Sequence, residues 1–299
     1  MEKQKVIIWG HKLHSHTHSY IHNGYYKAFK SLGFDTYWFD NNDDISDFDF
    51  NNCIFFTEDQ VHQKIPLNTT SKYILHNCDT GKYDAAGCHY LNLRNYVNDC
   101  RLGISFNYPG GTVKELTYYS YYDEENNALY QPWATDLLPE EIPDLPQPFD
   151  LSKKNVYYVG SIWAENESFV KDFKKACKDH GKHFIHEKHI SDETARRYVC
   201  DSYIAPDIRG TFHKEVGYIP CRIFKNISYG VIPATNSMYV RDFFGEHTLP
   251  YSDSAHGLFE ANESYLKDEN NMAHSIWLMK EVKEHHTYVT RVKTILSLL

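Results

Sequence analysis

Histidine is concentrated in one short stretch. The segment GHKLHSHTHSYIHNG, Gly10 to Gly24, holds five: His11, His14, His16, His18 and His22. Imidazole is the side chain whose ordinary pKa lies nearest neutrality, so a histidine-rich loop after a strand suits proton transfer. A plain surface loop of the same composition would read alike. A second feature is GYIPCRIFKNISYGVIPATNS, Gly217 to Ser237. Pro220 fits the first turn of a helix and Gly230 its stop. VIPAT then reads as a short buried strand, closed by the polar Asn236 and Ser237. Upstream, SYIAPDIRG (Ser202 to Gly210) is another apolar strand ending in a charged turn. Two strand ends and a helix N-terminus at one sheet edge make an anion site, because free N–H groups and the helix dipole point there. Arg209 and Arg222 add guanidinium forks suited to phosphate.

These residues need a scaffold, and the apolar runs supply it. KVIIWG (Lys5 to Gly10), TYWFD (Thr36 to Asp40), CIFFT (Cys53 to Thr57), YILHNCD (Tyr73 to Asp79) and LGISFNY (Leu102 to Tyr108) read as strands, most of them apolar on both faces, as in a helix-covered parallel sheet. Tyr20 to Leu32 has helical spacing and stops at Gly33. Four prolines between Leu137 and Asn155 mark a linker. The pattern then restarts with a strand at NVYYVGS (Asn155 to Ser161), a helix over Glu167 to His180, a strand at HFIHE and a helix over Asp192 to Cys200. A helical turn follows over Val240 to Phe244, then an edge strand at His247 to Asp253. One long helix is expected from about Asn271 to Leu298, with an apolar stripe fit for docking. The fold class is α/β, with two Rossmann-like domains facing across a cleft and the C-terminal helix packing back toward the first. The expected boundaries are residues 1–140, a linker at 141–154, a second domain at 155–275, and the returning helix at 276–299.

Composition narrows the partners. The chain has 299 residues, 24% charged and 41% hydrophobic, which is ordinary for a globular protein. The 24 tyrosines fit stacking surfaces for sugars or bases, and equally a coding bias toward Tyr, Asn, Lys and Phe. A formal net charge of −9 argues against broad nucleic-acid binding, and the expectation is no nucleic acid. The 7 cysteines are scattered without a CxxC pair, the pattern of a reduced compartment, so a cytoplasmic location is expected. No stretch is apolar enough to span a bilayer, and no signal-peptide pattern opens the chain.

With these motifs in order, the sequence resembles the GT-B glycosyltransferases, nearest to the group 1 type with a CgeB-like C-terminal domain. The likeness rests on Gly217-x-x-Pro220-x-Arg222-x-Phe224-Lys225 running to Gly230, on His286-Thr287-Tyr288-x-x-Arg291 near the end, on YVGS (Tyr157 to Ser161), and on QPWATD (Gln131 to Asp136) as the strand before the linker. It covers most of residues 130–299. It implies transfer of a hexose or pentose from a UDP- or GDP-sugar to a glycan or other hydroxyl acceptor, without a required metal or cofactor. The first domain would bind acceptor and the second the donor. The loop after the first strand would supply the base, His16 or His18 by position. His76 and Asp79 would line the acceptor side. Donor binding would fall to Gly160, Ser161, Arg209, Tyr218, Ile219, Pro220, Arg222, Lys225 and Asn226. Lys225 departs from the family, which tends to have a ribose-binding Glu there. Lysine accepts no hydrogen bond, so Lys225 would meet phosphate or a donor carboxylate, with Asn226 or Glu215 for the ribose.

Three other readings compete. HSHTHS also resembles the opening motif of PHP-type metal-dependent phosphoesterases, with His76 and Asp79 as further ligands, but the T-D-H triplet of that family is absent. A DNA-modifying glucosyltransferase is disfavoured by the acidic balance. A nucleotide-sugar-binding protein without catalysis is the non-enzyme alternative.

Overall fold

The structure, a computed structural model, describes residues 4–106, 112–117, 119–245 and 249–299. It divides into two compact units, Met1–Leu138 with Thr287–Leu299, and Pro139–His286.

In the first unit the apolar runs become β1 (Lys5–Trp9), β2 (Asp35–Phe39), β3 (Ile54–Glu58) and β4 (Lys72–His76), with α1 (Ser19–Ser31) between β1 and β2 and α2 (Gly81–Ala85) after β4. Then come β5 (His89–Arg94), the two-residue strands β6 (Asn98–Asp99) and β7 (Ile104–Ser105), then β8 (Val113–Thr117), β9 (Ser120–Asp123) and β10 (Ala128–Tyr130). The main sheet has the order β2-β1-β3-β4-β5-β10-β9-β8. Its members from β2 to β10 are parallel, while β9 and β8 extend it antiparallel. All of β3 is buried, as the unbroken apolar run demands. Strand order reverses between β1 and β3, because β1 leads through α1 to β2 on one side while β3 lies on the other. That reversal is the topological switch point, outside whose carboxyl ends ligands bind in such sheets.

Several expectations change. Of the strand expected over Leu102 to Tyr108, only Ile104–Ser105 pairs, in a two-residue ladder with Asn98–Asp99 apart from the main sheet; Asn107 and Tyr108 lie outside the described residues. The sheet position is taken by β5, whose sequence HYLNLR mixes His89, Asn92 and Arg94 with its apolar residues. Gln131 to Asp136 is not a strand beyond one bridge, Thr135 to Thr287. It is instead held from a side chain. Buried Arg291 donates from Nε to the Pro132 carbonyl (2.9 Å) and from Nη2 to the Trp133 carbonyl (3.2 Å).

The second unit holds β11 (Asn155–Val159), α3 (Ala164–Asp179), β12 (His183–Glu187), α4 (Asp192–Asp201), β13 (Ala205–Asp207), α5 (Thr211–Glu215), α6 (Cys221–Ser228), β14 (Pro233–Thr235), α7 (Met238–Phe243), α8 (Ala255–Lys267) and α9 (Asn271–His285). β11 pairs in parallel with β12, and β13 with β14. The stretch before β13 ties it to β11, since Tyr203 donates its N–H to the Asn155 carbonyl at 2.8 Å. Val156, Tyr158, Phe173, Ile204, Leu258 and Phe259 pack into its core. The long C-terminal helix is in fact two, α9 and α10 (Tyr288–Leu296). Thr287 breaks it by capping α10, its hydroxyl accepting the Thr290 N–H at 3.3 Å. His286 is buried against Phe224, Phe243 and Phe244. In the expected edge strand, residues 247 and 248 lie outside the described residues, and Tyr251 bridges Thr235. Among the described residues, no helix is long and apolar enough to cross a membrane.

Candidate active site

The carboxyl edge of the first sheet gathers histidines around one acid. Glu58 ends β3, directly opposite His76 at the end of β4. His11 lies two residues past β1. His18 occupies the N-cap position of α1, but its side chain caps nothing; it bonds to Glu58 Oε2 through Nδ1. His22 Nε2 and His76 Nδ1 stand 3.9 and 3.8 Å from the same oxygen, and His11 Nε2 is 3.1 Å from Oε1. The His16 ring lies 4.1 Å from that of His11. Gly10 makes room, since a Cβ there would stand 2.3 Å from His22 Nδ1.

Burial sets the charge states. Alone it would raise Glu58, but the hydrogen bond with His18 and the ring of imidazoles around it outweigh burial and hold the carboxyl well below its usual range. Burial lowers His11, His16 and His76, and takes fully buried His22 to about 3. The result is a buried carboxylate among mainly neutral imidazoles, with His18 oriented by the carboxylate as a general base would be. His16, His18 and His76 are thus brought together. Asp79 is not part of the group: it is exposed, and its carboxylate accepts the Gly81 N–H at 2.7 Å. Glu58 carries no motif of its own in the sequence, and nothing there separates His11 and His22 from the other loop histidines. The signal for Glu58 was present, a lone acid closing an apolar strand, CIFFTE.

A second polar edge belongs to the other unit, where β11 and β13 end. Arg209 pairs with the buried Asp207 carboxylate through Nη2. Asp207 in turn accepts the Thr235 hydroxyl at 3.1 Å. Asn236 fixes the Arg209 backbone from both sides, accepting its N–H at 2.7 Å and donating to its carbonyl at 3.2 Å. Arg222, in the first turn of α6, donates from Nη2 to the Val159 carbonyl (2.8 Å) and lies 4.5 Å from the Tyr158 ring centroid. Gly160, at φ +129°, leaves space for it. Arg209 Nε and Arg222 Nη1 are both buried and lack a hydrogen-bond partner. A cavity of about 360 Å³ opens beside this edge, lined by Trp163, Ala164, Glu165, Asn166, Gly210, Phe212 and His213.

The remaining expected donor residues are spread around α6. Pro220 sits at its N-cap rather than inside the first turn, and Ser161 is half-buried in the loop after β11. Tyr218 stacks on His213 with centroids 4.7 Å apart. Ile219 and Asn226 are buried. Lys225 stands 4.0 Å from Asp192 at the start of α4, and Glu215 is exposed at the end of α5.

No protein-family model and no curated protein matches the sequence. Solved structures do. An alpha-glucosyltransferase in complex with UDP and a 13-mer DNA containing an HMU base superposes with a TM-score of 0.59 at 8% identity, covering 100% of this chain and 99% of the other. An alpha-glucosyltransferase in complex with UDP gives 0.61 at 7% identity over 99% and 100% of the two chains. The fold is that of the GT-B glucosyltransferases. The DNA-modifying enzyme beta-glucosyltransferase has it too, at a TM-score of 0.52 and 10% identity over 98% and 100% of the chains. At such identities the likeness is one of fold, and none of it singles out a CgeB-like domain. It does overturn one expectation. A GT-B neighbour solved with DNA removes the ground for excluding nucleic acid. Net charge sums over the whole chain, whereas a phosphate backbone is met by a local footprint.

Proposed function

We propose that the protein transfers a sugar from a nucleotide-sugar donor to a hydroxyl acceptor. The observation that carries this reading is the pair of buried guanidinium donors without partners, Arg209 Nε and Arg222 Nη1, at the carboxyl edge of β11 and β13. Charged donors buried with unmet hydrogen-bonding capacity are costly unless an anion completes them. A diphosphate does so, and the N-terminus of α6 adds its dipole. The neighbours solved with UDP and uridine diphosphoglucose favour a UDP-sugar. Pro139–His286 is accordingly the donor-binding unit, with the cavity beside Trp163 receiving part of the donor.

The first unit supplies the base. His18, oriented by Glu58, takes the proton of the acceptor hydroxyl. That oxygen bonds to the anomeric carbon as the bond from this carbon to the diphosphate oxygen breaks, and the leaving charge passes to Arg209 and Arg222. The acceptor class includes nucleic acid as well as glycan, since a neighbour holds DNA containing an HMU base.

Thermal unfolding with UDP, GDP and CMP tests the donor half. Stabilisation by UDP that falls at least about tenfold in apparent affinity in Arg222→Ala is expected, the scale of one lost charged contact. No stabilisation by any nucleotide sinks the reading.

A further inference from the structure

Two polar atoms at the β1/β3 switch point face one another without a bond. His11 Nε2 and Glu58 Oε1 are 3.1 Å apart, an ion-pair distance, yet neither makes an aligned hydrogen bond. Glu58 is only 2% exposed, so water does not make good the loss. Two ligand atoms each about 2.0–2.2 Å from one zinc ion stand about this far apart. A third group completes the set: His11, His16 and Glu58 each offer a ligand atom, all within 4.8 Å of one another. His16 Nδ1 accepts the His18 N–H at 3.2 Å, and a turn of the ring presents either nitrogen to an ion. The carboxylate divides its work, because Oε2 is taken by His18 while Oε1 remains unmet.

We propose that His11, His16 and Glu58 form a binding site for one divalent transition-metal ion of the zinc class. Two imidazoles and one carboxylate form a familiar ligand set that leaves a coordination position open to water or a substrate oxygen. His14 belongs to the same histidine-rich loop but not to the site. It is exposed, and its ring meets the Tyr20 hydroxyl at 3.3 Å. The site does not depend on sugar transfer, and its test reads binding.

The full chain, dialysed against chelator, is titrated with Co²⁺ and with Zn²⁺ while visible d–d absorption and heat are recorded. One equivalent should bind, and zinc should raise the unfolding temperature. His11→Ala and His16→Ala should each weaken binding at least about tenfold and abolish the thermal gain. His14→Asn, with an asparagine that tolerates the φ of +69° there, should bind as the parent does. Circular dichroism checks that each variant is folded. Absence of a bound equivalent in the parent overturns the proposal. So does binding that survives both alanine variants, or that falls equally in His14→Asn.

Discussion

Arg222 reaches the Val159 carbonyl at 2.8 Å because residue 160 carries no side chain. A Cβ at Gly160 would stand 2.3 Å from Arg222 Nη2, and the φ of +129° is one L-residues rarely adopt. Gly160→Ala should therefore displace the guanidinium and cost about 1–3 kcal/mol from backbone strain. Chemical denaturation reads the loss, and UDP titration should show weakened binding. An alanine variant as stable as the parent, with unchanged UDP affinity, would show that the close approach is dispensable.

The Asp207–Arg209 pair is expected to behave as a buried ion pair. Asp207→Ala strands the Arg209 charge and should cost about 3–5 kcal/mol. Asp207→Leu combined with Arg209→Met should recover much of that stability while losing UDP binding. Urea unfolding of the single and double variants measures the coupling, and additive losses would contradict it.

Glu58 and His18 should act as one unit in catalysis. Glu58→Gln and His18→Ala should each lower kcat by about 10²–10⁴ with little change in donor KM. The double variant should fall little further than the worse single one. Steady-state kinetics decide it, and losses that multiply would mean separate roles.

His213 lines the cavity beside Trp163, stacked on Tyr218. Burial, and then the charge of Arg209, lower its pKa, against Glu165 and Asp207, which raise it. The folded ring resists a proton that the unfolded chain accepts below about 6.5. The associated stability is fully present above that pH and is lost as pH falls through the folded pKa. Between pH 7 and pH 5, His213→Asn should thus lose less stability than the parent. Equal pH slopes in denaturant titrations would refute this.

The sheet of the first unit was legible where strands are apolar on both faces, as β1, β3 and β4 are. It was opaque where polar residues interrupt the run, as His89, Asn92 and Arg94 do in β5. The split of the last helix hid because Thr287 is a modest cap inside a continuous apolar stripe; only the burial of His286 against three phenylalanines shows why the chain turns there. Arg209 and Arg222 were readable from strand-end and helix-start signals, which are local. The burial of the Asp207–Arg209 pair and the reach of Arg222 to the Val159 carbonyl depend on tertiary packing. The histidine loop stands out in the sequence, but Glu58, which organises it, lies 40 residues from His18. No local pattern links the two; the adjacency of β1 and β3 does.

Sugar transfer itself is tested most directly by mass spectrometry of acceptors after incubation with UDP-glucose. DNA containing hydroxymethylated bases and a panel of soluble glycans should be offered in parallel. One acceptor class should gain the mass of an anhydrohexose, with UDP released in equal amount and no gain in Glu58→Gln. Failure of every acceptor to gain mass, with no UDP released, would contradict the account.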